Sequence, residues 1–427
     1  MPRRVTGRIG PFLLAAALLT GCQTPGEAGQ QAAEAERVAA AEQLAAESAS
    51  PSFAAWLSGL RTEALAAGVS GATFDAAFAG VEPDPHVLEL DNRQPEFTRP
   101  IWEYLDTAVS AERIEDGRAL FAGNRDLLDS VTARYGVSAP TLVAIWGLES
   151  AYGAHTGNYS VIRSLATLAW SGRRTATFRP HLIAALLILE AGDIAPERMY
   201  GSWAGAMGQT QFMPLAFRDY AVDHDGDGRR DIWGSEGDAL ASAANYLARA
   251  GWDEGASWGT EVSLPAGFPW EMAGLGTRKP LSEWRRLGVR VAGGPELPAS
   301  ADLASILAPA GRRGAAFLVL DNFRSILRYN NSSAYALAVG HLSDRIAGAG
   351  PFQAPWPRGD RPLSRTDKQD LQRLLSARGH GTGGVDGIIG PNTRAAVRAY
   401  QRAAGLVADG YPSMELLDRL RREAAGG

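Results

Sequence analysis

The sequence is short of cysteine, of net charge and of long apolar runs. Cys22 is the single cysteine among 427 residues. The chain can therefore form no internal disulfide, and its body can carry neither a cysteine-based zinc site nor a catalytic cysteine. The 42 Lys and Arg nearly balance the 47 Asp and Glu, which leaves a net charge of −5. Such a balance gives no strong attraction to a polyanion, and we expect no nucleic-acid partner.

The N-terminal segment is typical of a secretory signal. Arg3, Arg4 and Arg8 precede an apolar run at 12–19, and such a run is too short to cross the roughly 30 Å of bilayer hydrocarbon. A true transmembrane anchor is the alternative interpretation. We predict a signal peptide over 1–21. The Ala/Glu/Gln-rich stretch that follows has almost no large apolar residue, and we predict a tether over 22–50.

The last residues of this signal, Leu19-Thr20-Gly21-Cys22, resemble a bacterial lipobox. The resemblance implies that Cys22 becomes the lipidated first residue of the mature protein. Two or more acyl chains would then hold it stably on a membrane. Gln23 rather than Asp follows the cysteine, and in the bacterial sorting pattern this implies an outer-membrane lipoprotein that faces the periplasm.

Apolar residues recur at helical spacing through most of the chain after Pro51, including one long run at 111–135. β-like runs lie between Gly and Pro clusters at 258–264, 288–291 and 316–320, which predicts a small β insertion over 252–320. A Pro-rich linker at 351–362 precedes a unit at 363–425 that contains two amphipathic helices. The predicted fold class is α+β and mostly helical, with a small C-terminal domain.

Glu149 is the only charged residue in the apolar segment TLVAIWGLESA at 141–151. Ile145 and Trp146 share its helical face, so its carboxyl lies beside large apolar groups. Such surroundings raise the pKa of a carboxyl and make it a competent general acid near neutral pH. The alternative is a Glu at the exposed edge of a core helix. Glu190, a second candidate acid, is more simply a solvated helix terminus.

An acidic loop provides a candidate calcium site. Asp223, Asp225 and Asp227 have the spacing of the first half of an EF-hand loop, with Gly228 at its sixth position. Arg229, at the seventh position, belongs to the candidate ligand set. The twelfth position is Gly234 instead of Glu, so a last carboxylate must come from elsewhere, and the nearest is Asp238. The alternative is an Asp- and Gly-rich turn without a metal.

Four segments together resemble the membrane-bound lytic murein transglycosylases of the B type, over roughly 51–346. These segments are IWGLESAYG, GSWAGAMGQTQFMP, VDHDGDGRRDIW and RYNNSSAYALAVGHLSD. The resemblance implies a catalytic domain over 51–350, with an α-rich lobe, a lysozyme-like core at about 139–250 and a small β domain. The sequence Gly208-Gln209-Thr210-Gln211 departs from the Gly-Tyr-Gly-Gln of some members, which leaves the contact made by residue 210 open.

The same resemblance assigns roles to individual residues. Glu149 is implied to be the single catalytic acid and base, and Asp238 to supply the late carboxylate of a structural calcium site. The implied substrate-binding residues line the glycan cleft or surround the carboxyl group; they are Ser202, Gln211, Tyr246, Tyr329, Asn330, Tyr335 and Tyr104. No organic cofactor is expected.

The implied reaction cleaves the β-1,4 bond between N-acetylmuramic acid and N-acetylglucosamine in peptidoglycan and forms 1,6-anhydromuramyl ends without water. Ordinary glycosidases use two carboxylates ~5–9.5 Å apart, and no second partner for Glu149 is evident. The alternatives are a hydrolytic muramidase of the same fold and a non-catalytic peptidoglycan-binding lipoprotein.

The C-terminal unit resembles the three-helix peptidoglycan-binding domain of many wall enzymes. The pieces that carry this resemblance are LQRLL, Asp386-Gly387, Gly390-Pro391-Asn392-Thr393, AVRAYQ and Asp409-Gly410. The expected partners are therefore peptidoglycan glycan strands, together with a membrane through the lipid anchor.

Overall fold

The structure is a computed structural model that describes residues 52–92 and 99–426. The predicted signal peptide, the tether at 22–50 and Cys22 lie outside these residues. Contacts divide the chain into two units, Met1–Gly59 and Leu60–Gly427. The described residues of the first unit belong to the start of helix α1, Phe53–Ala66. Within the two described ranges, no helix is long and apolar enough to span a membrane.

Helices form most of the second unit. After the end of α1 come α2 (Gly71–Ala77), α3 (Pro85–Asn92), α4 (Ile101–Ala108), α5 (Ala111–Gly123), α6 (Arg125–Tyr135), α7 (Ala139–Ser150), α8 (Val161–Trp170) and α9 (Thr175–Glu190). A two-residue antiparallel pair, β1 (Tyr159–Ser160) and β2 (Tyr200–Gly201), precedes α10 (Pro214–Tyr220) and α11 (Glu236–Arg249). Two more helices of this part follow the main sheet, α13 (Asp321–Tyr329) and α14 (Ser333–Ile346).

Helix α7 lies at the centre of the main core. Most of its residues are buried, and it packs against α5, α11 and α14. The apolar run of Leu142, Val143, Ile145 and Trp146 is at most 2% exposed. An all-round apolar helix is stable only where other elements cover every side, so this packing places the end of α7, with Glu149, against its neighbours.

The β insertion is a five-stranded antiparallel sheet in the order β4-β6-β7-β3-β5. Its strands are β3 (Gly259–Ser263), β4 (Lys279–Pro280), β5 (Arg290–Val291), β6 (Leu303–Leu307) and β7 (Ala316–Val319), and α12 (Leu281–Arg286) follows β4. On β7, Phe317 and Val319 join the helical core, whereas Ala316 and Leu318 join the core of the insertion. Successive side chains of a strand point to opposite faces of the sheet, so these two cores cover both faces.

Two local expectations differ from the structure. The run at 111–135 is two helices, because Asn124 leaves helical geometry (φ −107°, ψ 29°) and donates from its side-chain amide to the Leu120 carbonyl at 3.2 Å. Strand β6 was not among the predicted β runs. Its sequence LASIL is short and has no alternation, and it becomes a strand through pairing with β4 and β7.

The segment predicted as a linker, 351–362, lies against the main helical core. Phe352, Ala354 and Trp356 pack against the main core. The nearly buried carboxylate of Glu261 accepts hydrogen bonds from the backbone N–H groups of Gln353 and Ala354, both at 2.7 Å. Charge-assisted bonds of this kind are among the stronger ones in proteins, so this segment is held along the sheet.

The C-terminal unit consists of α15 (Arg365–Ala377), α16 (Pro391–Ala403) and α17 (Met414–Ala425) around a core of its own. Leu371, Val397 and Leu417 are fully buried in that core. The prediction of an α+β, mostly helical chain with three helices at its C-terminal end is confirmed.

Candidate active site

Helix α7 ends abruptly just after Glu149. Ala151 and Tyr152 have left-handed backbone conformations (φ 48° and 60°), which cost energy for residues other than glycine. Two contacts hold this turn: the Tyr152 hydroxyl donates to the Arg113 carbonyl at 2.6 Å, and its ring lies so close to Gly147 that a Cβ there would be 2.5 Å from the ring. The end of the helix is therefore fixed in one geometry.

Glu149 is half-buried, and it follows the buried residues Ile145 and Trp146 on its helical face. Burial raises its pKa to about 7, and the hydrogen bond donated by the Tyr335 hydroxyl to Oε1 at 2.6 Å opposes that rise. No carboxylate among the described residues contributes to this shift. Near neutral pH the group therefore exists in both forms, which is what a general acid that later acts as a base needs.

Three tyrosines surround this carboxyl group. Tyr335 comes from α14, Tyr329 from the end of α13 and Tyr104 from α4. Burial and then the charge of Glu149 raise the pKa of all three hydroxyls, so they stay protonated and remain hydrogen-bond donors. The Tyr329 hydroxyl donates to the Thr210 carbonyl at 2.8 Å, which ties the carboxyl surroundings to the loop at 201–213.

The other predicted cleft residues extend from these tyrosines. The Tyr246 ring lies 4.9 Å from that of Tyr329, and its hydroxyl donates to the Arg328 carbonyl at 2.6 Å. Asn330 follows Tyr329 at the end of α13 and is exposed. These residues form an aromatic wall beside the carboxyl group, with an exposed amide at its end.

Ser202 and Gln211 lie at the two ends of a tight loop. The Ser202 hydroxyl accepts from the Ala206 N–H at 2.9 Å. Gln211 has a left-handed conformation (φ 49°), and its amide donates to the carbonyls of Thr156 and Gly208 at 3.0 and 2.9 Å. Both side chains are only partly exposed, and the structure uses their hydrogen bonds to shape the loop.

Sequence reasoning missed Gln209. Its side-chain oxygen accepts from the Trp146 indole at 2.8 Å, and its backbone carbonyl accepts from the Ser150 hydroxyl at 2.7 Å. On its other side, its N–H donates to the Ile232 carbonyl at 2.9 Å and its amide to the Trp233 carbonyl at 3.3 Å. Gln209 thus connects the helix of Glu149 to the end of the acidic loop. The departure from Gly-Tyr-Gly-Gln at 208–211 is the sequence signal for an altered contact in this segment, and the contact is made by residue 209 as well as residue 210.

The acidic loop brings three carboxylates together. One oxygen from each of Asp223, Asp225 and Asp227 lies within 4.8 Å of the others. Backbone N–H groups of the loop also point at them, for example that of Gly228 to Asp223 at 2.9 Å. Like charges at this separation repel, and oxygen donors of this kind suit a hard divalent cation. The residues present fit a calcium ion.

Asp238 and Arg229 take different places from these three. Asp238 is fully buried and accepts from the N–H groups of His224 and Asp231, both at 2.7 Å, so it holds both arms of the loop. The Arg229 guanidinium binds the Asp227 carboxylate at 2.7 Å, which leaves its backbone carbonyl as the group that a cation could use. Asp238 is not in the group of three adjacent carboxylates.

Comparison with known proteins identifies the family. The family described as "Transglycosylase SLT domain" matches residues 52–344, more than half of the chain. The chain belongs to this family. A second family, "Putative peptidoglycan binding domain", matches residues 364–420. The predictions of a lytic transglycosylase and of a lysozyme-like fold are confirmed at the level of the family.

Individual relatives agree with this assignment. The membrane-bound lytic murein transglycosylase B of Escherichia coli is 32% identical over 252 residues, which cover 57% of this chain and 66% of that protein. SltB3 from Pseudomonas aeruginosa, solved with NAG-anhNAM-pentapeptide, is 58% identical with a TM-score of 0.84, over 87% of this chain and 99% of that one. The Escherichia coli lytic transglycosylase Slt35, solved with calcium, is 30% identical with a TM-score of 0.55, over 62% of this chain and 84% of that one.

The buried carboxyl group predicts a pH-dependent stability. The pKa of Glu149 is about 7 in the folded chain against an ordinary 4.5, so unfolding releases a proton between these values and stability falls as pH rises from 4.5 to 7. Glu149→Gln keeps the oxygen that accepts from Tyr335 and removes this cost. We expect the variant to gain about 1–3 kcal/mol relative to the original chain between pH 4 and pH 8, measured by urea unfolding.

Glu190→Gln is the matched control. The Glu190 carboxylate is exposed, and hydrogen bonds from the Thr73 hydroxyl and then from Ser70, whose N–H donates at 2.8 Å, lower its pKa. Replacing this carboxylate should therefore destabilise the chain at neutral pH and have no effect on stability at low pH. The effect on stability is then opposite in sign to the one expected for Glu149→Gln. Parallel pH profiles for the two variants would contradict the assignment of Glu149 as the buried acid.

Proposed function

We propose that the chain is a lytic transglycosylase that cleaves the β-1,4 bond between N-acetylmuramic acid and N-acetylglucosamine in peptidoglycan, with Glu149 as both acid and base. The observation that carries the proposal is the half-buried Glu149, whose carboxyl pKa burial raises to about 7, with no second carboxylate acting on it among the described residues. The catalytic part is residues 51–350.

In the first step Glu149 protonates the glycosidic oxygen. The C1–O bond breaks, N-acetylglucosamine leaves with the proton, and positive charge develops at C1 of the muramyl ring. Since no described carboxylate besides Glu149 acts at the site, stabilisation of that charge falls to the substrate itself, through the carbonyl oxygen of its own N-acetyl group. The Glu149 carboxylate that remains is disfavoured by burial, so it is ready to take a proton back.

In the second step the Glu149 carboxylate takes the proton of the muramyl C6 hydroxyl. The C6 oxygen attacks C1, and a 1,6-anhydro bond forms without any water being consumed. The Tyr335 hydroxyl stays bonded to Oε1, which holds the carboxyl in place while the proton leaves and returns. A hydrolase would need a second group to activate water.

The remaining predicted residues have supporting roles in this proposal. Tyr104 and Tyr329 would help to exclude water from the carboxyl, Tyr335 would hold it through its hydrogen bond, and Tyr246 would extend their aromatic surface toward the sugar. Ser202, Gln211 and the exposed Asn330 offer hydroxyl and amide groups to the glycan. SltB3 binds NAG-anhNAM-pentapeptide in its solved structure, which supports an anhydro product for this chain too.

Product analysis tests the reaction. Purified sacculi digested with the full chain should release muropeptides with 1,6-anhydromuramyl ends, which mass spectrometry separates from reducing ends by 18 Da. Glu149→Gln should lower turnover by at least ~10³-fold, because a neutral amide can neither give nor take the proton, while Glu190→Gln should remain active. Reducing ends from the original chain would make it a hydrolytic muramidase, and an active Glu149→Gln would move the catalytic role elsewhere.

We propose that the acidic loop binds a structural calcium ion through Asp223, Asp225 and Asp227, with Asp238 and the Arg229 carbonyl as further ligands. The ion would neutralise three crowded carboxylates and so keep the loop, and through it Gln209, in one arrangement. A calcium complex of Slt35 supports the proposal. Magnesium is disfavoured, since it demands a small octahedral site.

The calcium proposal is tested by thermal unfolding. A metal that binds only the folded chain raises Tm in proportion to the logarithm of its concentration. We therefore expect Tm to rise by several degrees in about 100 Kd of calcium and to fall back with chelator. Asp225→Asn should abolish the rise, whereas Asp219→Asn, an exposed acid outside the loop, should retain it. No shift for the original chain would mean an Asx-turn without metal.

We also propose an outer-membrane lipoprotein with Cys22 as its acylated first residue. The lipobox resemblance and the membrane-bound relative from Escherichia coli support it. In cells that express the full chain, the N-terminal peptide from the membrane fraction should begin at Cys22 and carry the mass of its acyl chains. Cys22→Ala should move the protein out of that fraction. A mature chain without acyl groups, still bound to the membrane, would contradict the proposal.

A further inference from the structure

The C-terminal unit contains the same turn twice. In each copy a buried glutamine on a helix holds an Asp-Gly pair: Gln372 holds Asp386-Gly387, and Gln401 holds Asp409-Gly410. The glutamine amide donates to the aspartate Oδ1 at 2.8 and 2.7 Å, and the glycine N–H donates back to the glutamine oxygen at 2.8 Å in both copies. Both glycines are left-handed (φ 77° and 73°).

The equivalence extends to the residues after the turn. Oδ1 of each aspartate also accepts the N–H two residues on, from Ile388 at 2.8 Å and from Tyr411 at 3.0 Å. A helix begins five residues after each aspartate, α16 at Pro391 and α17 at Met414. In both copies Oδ1 makes the bonds within the turn, so Oδ2 takes no part in holding the turn together.

One copy has an occupant. Oδ2 of Asp409 accepts the backbone N–H of Arg312 at 3.0 Å, from the loop before β7. The residue before that N–H, Gly311, is left-handed (φ 58°), and an L-configured Cβ on it would lie 2.5 Å from Asp409 Oδ2 and 2.7 Å from the Tyr411 Cβ. This turn therefore binds a backbone amide that follows a left-handed residue, and it rejects an L side chain at that residue.

In the other copy, none of the hydrogen bonds described for Asp386 uses Oδ2, and the Arg365 side chain lies beside Gly387. Asp386 is exposed, and beside it Ile388 and Val385 are 66% and 44% exposed. Exposed branched apolar residues next to a preorganised acceptor form a small binding surface for a peptide backbone. We call residues 385–388 the open turn.

We propose that the open turn binds the peptide stem of peptidoglycan, through an amide N–H that follows a D-residue, as the equivalent turn binds the N–H of Arg312. The argument is conformational. D-residues prefer the positive φ that L-residues avoid, and their side chain leaves Cα in the direction opposite to the Cβ that would collide. Stem peptides of peptidoglycan contain D-residues, so they can supply a residue with positive φ whose side chain does not collide with the turn. The inference rests on the proposed function for the identity of the polymer.

The test uses the full chain with its isoleucine methyl groups labelled for NMR, so that Ile388 reports on the open turn directly. A synthetic stem pentapeptide with its natural D-residues should shift the Ile388 methyl signal in a saturable way. The same sequence made of L-residues should bind at least ~10-fold more weakly. Asp386→Asn keeps the size of the side chain but replaces Oδ2 by a donor, and we expect it to weaken binding about tenfold or more.

Asp418→Asn is the control, because it removes one negative charge from α17 of the same unit. It should bind the D-peptide like the original chain. An Ile388 signal that does not move with the D-peptide, or that moves equally with the L-peptide or in Asp386→Asn, would overturn the inference. Product analysis of the original chain reports on cleavage separately, so failure of this inference and failure of the proposed function are distinguishable.

Discussion

The carboxyl group of Glu149 lies where burial makes its negative charge costly, and much of the surrounding structure serves to maintain that cost. Its pKa is near 7 because the tyrosines and the core exclude water. One hydrogen bond, from Tyr335, steadies the charged form. A cation or several further donors would stabilise the carboxylate and lower its pKa until no acid remained at neutral pH. The raised pKa of Glu149 therefore requires that few hydrogen-bond donors reach the carboxyl group, as well as that aromatic and apolar groups bury it.

That setting has to be held rigidly, because a raised pKa favours any movement that lets water reach the group. Helix α7 cannot shift, since its neighbours bury most of its residues. The hydrogen bond between Tyr152 and Arg113 fixes the end of the helix. The hydrogen bond between Trp146 and Gln209 connects its side to the acidic loop. A site built on such a helix keeps its geometry more accurately than one built on a mobile loop. The acidic loop thus supports the position of α7 through Gln209.

What could be predicted from the sequence follows from how far apart the interacting residues are in the chain. The apolar face around Glu149 and the spacing of Asp223, Asp225 and Asp227 are local, and the structure brings those residues together as expected. The bond from Tyr335 spans 186 residues and only the family resemblance suggested it. The departure from Gly-Tyr-Gly-Gln marked the segment at 208–211 but could not reveal the role of Gln209, because that role arises from three segments that meet in space. For the same reason strand β6 was missed, since its partners decide its conformation.

The segment at 351–362 determines how freely the C-terminal unit can move relative to Glu149. A flexible linker would only raise the local concentration of enzyme on the polymer. Here Glu261 binds its backbone and Trp356 packs on the core beside Trp102. Farther on, Arg313 pairs with Asp360, and Arg312 meets the Asp409 turn. With the module held in this way, its open turn keeps a constant position relative to Glu149. Under the proposal for the open turn, binding of a stem peptide there would also fix which stretch of glycan reaches the carboxyl group, and the module would contribute direction as well as affinity.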